Sequence, residues 1–146
     1  MSDSERMKFW FGKNQSADDE IRDKFGADLE AFGAGELDEW RDCPLSAAAG
    51  IILGDQFTRN VYRGSPKSFD FDPRVREWTL GLVKSGEHRR MPGAMRLFVL
   101  LPLTHHENLE SHEIMSKELA QWKADVEATE PPAPELLKFI AIATQV

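Results

Sequence analysis

At 146 residues, with 41% apolar and 29% charged side chains, the chain has the size and balance of one globular domain, able to bury a core without disulfides or metal. Its formal charge of −7 argues against nucleic acid as a partner, because neutralising phosphates takes a concentrated Lys/Arg surface. Cys43 is the single cysteine and can form no internal disulfide, no window has the length and apolarity of a membrane span, and "MSDSERMKFWFGK" lacks a signal peptide's apolar stretch, so a cytoplasmic protein is expected.

Strand signals are scarce and helix punctuation is plentiful. Phe9, Trp10 and Phe11 read as core or a docking anchor. Ser16 with Asp19 forms a capping-box pattern ahead of a helix in which Ile21, Phe25, Leu29 and Phe32 recur every three or four residues, and Gly33 and Gly35 supply stops. A short helical turn carries Leu37 and Trp40 as far as Pro44. A helix then runs from Ser46 to Gly64. Asp72 followed by Pro73 predicts an N-cap and first helical position, with Gly86 closing that helix. Pro92 opens "GAMRLFVLL" and Pro102 ends it. Leu109 to Val126 reads as an amphipathic helix with Ile114, Leu119 and Trp122 inward, "TEPPAPE" as an extended linker, and "ELLKFIAIATQV" as the start of one more helix whose apolar face expects further protein against it. The expectation is one all-helical domain over 1–146, about seven helices joined by short loops.

The stretch "GDQFTRNVYRG", Gly54 to Gly64, sets polar residues where a core helix should carry Leu or Ile. At 100° per residue Ala48, Ile51, Ile52, Asp55, Arg59 and Tyr62 share one stripe, and Leu53, Phe57 and Val61 the opposite one, so the helix is expected to be largely buried. Asp55 and Arg59, four residues apart, can pair on one face, and Arg63 continues the row. Leaving either of the first two buried and alone would cost about 3–5 kcal/mol, so both must have partners. One reading is an internal network, with Gln56 and Asn60 bonding loop carbonyls. The other is a cleft in which Arg59 and Arg63 receive an anion, because a guanidinium fork suits carboxylate or phosphate.

A second constellation lies in "RLFVLLPLTHHENLESHE". Arg96 opens an apolar helix, and His105, His106 and Glu107 follow the break at Pro102. No zinc pattern fits, since "HENLE" has Glu where a metalloprotease helix needs its second His, and no metal or cofactor is expected. A His–Glu pair can instead join a hydrogen-bond network or handle a proton.

The segments "FWFG", "DEIRDKFGADLEAFGAGELDEW", "IILGDQFTRNVYRG" and "RLFVLLPLTHHE" resemble the DUF924 family, mostly bacterial proteins of unknown function. The resemblance implies a tetratricopeptide-like fold, an α–α superhelix of antiparallel helix pairs. It also implies that Asp55, Arg59, Asn60, Arg63, Arg96, His105 and Glu107 match positions carrying the same residue types in the family, which makes them the candidate ligand-binding set. Two departures are Thr58, where the family has proline, and His106, where it has serine. The family's F-P-H-R-N element is absent, so a domain shortened at its C-terminus is expected. The resemblance brings no substrate. The residues therefore predict either an interaction or scaffold module for a protein or peptide partner, or a site for a small anionic ligand, enzymatic or not, in which Arg59, Arg63 and Arg96 hold the anion and His105 with Glu107 moves a proton.

Overall fold

In the computed structural model, residues 15–105 and 108–128 are described, and they form five helices without a strand among them. These are α1 (Gln15–Gly33), α2 (44–61), α3 (Asp72–Ser85), α4 (Gly93–Leu100) and α5 (Leu109–Glu127). The all-helical expectation holds. Helix α2 is composite: an α-helical start, Pro44–Ile52, a π-helical turn, Leu53–Phe57, and a closing α-helical turn, Thr58–Val61. Tight 3-10 turns at Asp38–Asp42, Pro66–Phe69, Glu87–Arg90 and Leu101–His105 make most of the connections.

Several boundaries differ from expectation for physical reasons. Helix α1 already runs at Gln15, so Ser16 lies inside it and caps nothing. Helix α3 starts one residue earlier than expected, with Phe71 at the N-cap and Asp72 already in the first turn, where its carboxylate pairs with Arg59. Gly86 stops that helix at φ 76, a left-handed conformation costly for any side chain. Asn108 caps α5 by accepting from the Ser111 N–H. Phe9 to Phe11, the "TEPPAPE" linker, the last apolar helix, His106 and Glu107 lie outside the described residues.

Helix α2 is the axis on which α1, α3 and α4 pack. Its second half rests on α1 and its first half on α3 and α4. Contact is close because α2 carries glycine where neighbouring aromatics arrive: a Cβ at Gly54 would lie 2.7 Å from a Phe32 ring carbon and 2.6 Å from Val75, and one at Gly50 would meet the Trp78 ring. One apolar cluster gathers Leu29, Phe32, Ala48, Ile51, Val75 and Trp78. A second gathers Leu97, Leu100, Leu103, Met115, Leu119 and Trp122 from α4, the turn after it and α5. Burying each larger side chain contributes about 1.5–3 kcal/mol. Between the clusters the Thr79 hydroxyl donates to the Val99 carbonyl at 2.8 Å, tying α3 to α4.

Candidate functional site

The polar row of α2 begins in its π turn. Asp55 is 1% exposed, and the expectation that it and Arg59 must find partners inside the protein is met. Gln56 Nε2 donates to Asp55 Oδ2 at 2.7 Å, not to a loop carbonyl. The π turn leaves the backbone register of an ordinary helix, and the Thr58 hydroxyl compensates by donating to the carbonyls of Gly54 (2.8 Å) and Asp55 (3.1 Å). Arg59 lies only within 4.0 Å of Asp55 Oδ1, because its guanidinium turns toward the start of α3. There it grips Asp72 with both arms, Nη1 to Oδ1 at 2.8 Å and Nη2 to Oδ2 at 3.1 Å. Nη1 also donates to the Ser68 carbonyl, and Nη2 lies 2.8 Å from His105 Nδ1. A bidentate pair of this kind is among the stronger polar contacts proteins make. Asp72 gains further from its place in the first turn of α3, where the helix dipole favours negative charge.

One turn further along, Asn60 and Arg63 face α1 and not the Arg59 cluster. Asn60 Nδ2 donates to Asp18 Oδ1 at 2.8 Å, and Arg63 donates from Nε to Oδ2 at 2.7 Å and from Nη2 to Oδ1 at 3.1 Å. The Arg63 hydrogen bonds outweigh the opposing effect of burial and hold the Asp18 carboxyl below its usual range; Arg63 in turn is raised by Asp18. Arg22 of the same helix donates to the Val61 carbonyl at 3.0 Å, satisfying the end of α2. The sequence supplied Asn60 and Arg63 but not Asp18, which looks like one of several surface acids in "SADDE". Its position one turn before Ile21 on the inward stripe of α1 was the available signal.

A family model described as a bacterial protein of unknown function, DUF924, matches residues 2–145. The chain belongs to the DUF924 family. This DUF924 protein is also similar to the solved structure of a protein of unknown function from Agrobacterium tumefaciens, at 25% identity and a TM-score of 0.71, over 92% of this chain and 70% of that one. No curated protein matches it.

Arg96, the remaining described member of the DUF924 set, belongs to a third network between α4 and α5. It is 3% exposed, stacks its guanidinium 5.4 Å from the Trp122 ring centre, and donates to Asp125 Oδ2 at 3.1 Å and to the Arg89 carbonyl at 3.4 Å. Burial lowers its pKa, against the pull of Asp125. Close by, the fully buried His88 places Nε2 2.7 Å from Glu118 Oε2, while Arg89 donates to both Glu118 oxygens at 3.3 and 3.0 Å. Burial pushes Glu118 up, but Arg89 and His88 together more than offset it and leave the carboxyl below its ordinary value. Sequence reasoning missed His88 and Glu118. A helix wheel places Glu118 beside Leu119 and Trp122 but does not reveal that its partner arrives from a turn thirty residues earlier. The seven candidates thus divide: Asp55, Arg59 and His105 meet at one site, Asn60 and Arg63 at a second, Arg96 at a third, and Glu107 lies outside the described residues.

Proposed function

We propose that this DUF924 protein is a helical interaction module, tetratricopeptide-like in its pairing of antiparallel helices, whose buried charges fix the helices relative to one another. The observation that carries the reading is the neutralisation of every described candidate arginine by a carboxylate of the same chain: Arg59 by Asp72, Arg63 by Asp18, Arg96 by Asp125. An anion would have to displace an internal partner already bound with two hydrogen bonds in the first two cases. An uncharged recess supports the same reading. It has a volume of about 270 Å³, is lined by Ala17, Ile21, Ile52, Phe57 and Phe98, and has the amides of Gln56 and Asn60 at its edge. Its chemistry suits the apolar face of a peptide helix, with the two amides to bond polar groups at the rim. Selection of a displayed peptide library against the purified protein tests this. Enriched peptides should carry apolar residues at three- and four-residue spacing and lose binding to a Phe57→Asp variant of unchanged circular dichroism. Enrichment indifferent to Phe57→Asp would count against the recess.

The second reading, a site for a small anionic ligand, draws on one observation: Arg59 and His105 lie side by side and both keep solvent access, with side chains 25% and 30% exposed. A thermal-shift screen of anionic metabolites separates the two. Stabilisation of the wild type that disappears in folded Arg59→Ala would favour the ligand site over the module.

A further inference from the structure

The cluster at the start of α3 sets two carboxylates, Asp55 and Asp72, around one guanidinium. Asp55, Asp72 and His105 each offer a ligand atom within 4.8 Å of the other two. Asp55 Oδ1, on a residue 1% exposed, receives no hydrogen bond from any described group. Its near neighbour is His105 Nδ1 at 3.0 Å. Nδ1 also lies 2.8 Å from Arg59 Nη2, and one ring nitrogen cannot both accept from the guanidinium and donate to Asp55. In either tautomer one of these two contacts goes without its hydrogen bond. Arg59 Nη2 occupies the space between the three groups, 2.8 Å from Nδ1, 3.1 Å from Asp72 and 4.0 Å from Asp55, but one guanidinium leaves two carboxylates with a net negative charge.

We propose that Asp55, Asp72 and His105 bind one divalent transition-metal ion, and that Arg59 stands in the ion's place until it arrives. A divalent charge neutralises both carboxylates, and it gives the Asp55 oxygen and the imidazole lone pair a common partner. Two carboxylates with one imidazole suit Mn²⁺ or Zn²⁺ better than Ca²⁺ or Mg²⁺, which favour all-oxygen shells. Gln56 holds the other Asp55 oxygen and so orients the ligand from behind. His105 and Asp72 are partly exposed, which gives the ion an entry path and leaves its outer face to water. Metal–ligand bonds of about 2.0–2.2 Å require the three groups to close in by roughly an ångström or less. The displaced guanidinium keeps the Ser68 carbonyl and the face of the exposed Phe69 ring, 5.0 Å away, as partners. The inference goes beyond the interaction module and does not depend on it.

Titration of the metal-stripped full chain with Mn²⁺, followed by electron paramagnetic resonance, and with Zn²⁺, followed by calorimetry, tests the site. One ion per chain is expected, with affinity falling at least about tenfold in His105→Gln and in Asp72→Asn. Arg59→Gln should bind about tenfold tighter or better, because nothing then competes for the place. His105 is partly exposed, so its replacement keeps the test informative if Asp72→Asn proves unstable. Less than one ion per chain in both the wild type and Arg59→Gln would overturn the proposal, as would equal affinity in the wild type and His105→Gln. Unchanged affinity in Arg59→Gln would overturn the place-holding role of Arg59.

Discussion

Glu118 of α5 is buried, with a fully buried histidine and the Arg89 guanidinium against its two oxygens. Replacing it with alanine takes the partner from the His88 ring nitrogen and from two Arg89 donors, Nε and Nη2, which should cost about 2–4 kcal/mol. Urea unfolding of Glu118→Ala beside the wild type measures that loss. The same carboxylates set a pH dependence. Asp18, Glu118 and Asp125 all lie below their ordinary values of 3.8, 4.5 and 3.8 in the folded protein. The unfolded chain therefore takes up protons first as pH falls. The stability these groups contribute is complete above about pH 4.5, shrinks below it, and is gone once pH passes under the lowered folded values. Unfolding midpoints should fall from pH 5 to pH 3, and less steeply in Asp18→Asn, which has no carboxyl to protonate there. Equal slopes in the two proteins would mean that the Arg63 contact contributes nothing.

Helix α2 shows which features of an element a sequence reveals. Its apolar residues on both sides announced burial, and burial of Asp55 with Arg59 announced partners, and both hold. The partner chosen did not follow from an ideal wheel. The π turn at Leu53–Phe57 shifts the register, so the i,i+4 contact of Asp55 with Arg59 is loose and Asp72, thirteen residues beyond Arg59, takes the guanidinium. Thr58 marks the spot: a residue whose hydroxyl returns to the carbonyls of the π turn stands where the family resemblance implies proline, a residue with no N–H to give. Asp72 was legible as a helix start but not as an ion-pair partner, because capping and pairing use the same carboxylate. The close approach of α3 to α2 was not legible at all, since Gly50 reads as a helix weakness until the Trp78 ring is seen against it. Gly50→Ala should therefore destabilise the protein by about 1–3 kcal/mol despite alanine's better helix propensity. A thermal melt at or above the wild-type midpoint would show that Trp78 can move aside.

At the scale of the molecule, charge networks among the described residues fasten the helices: Asn60 and, just past the end of α2, Arg63 join it to α1, Arg59 joins α2 to α3, and Arg96 joins α4 to α5. None of the described helices is long and apolar enough to cross a membrane. The central claim is that the charges set into α2 are there to be paired within the chain, with Arg59 and Asp72 as the principal link. The most direct measurement is a double-mutant cycle by urea unfolding on Arg59→Ala, Asp72→Ala and the pair. For a bidentate contact with both side chains mostly buried, the account predicts a coupling energy of about 1–2 kcal/mol. Additive single-mutant effects, leaving no coupling, would contradict it.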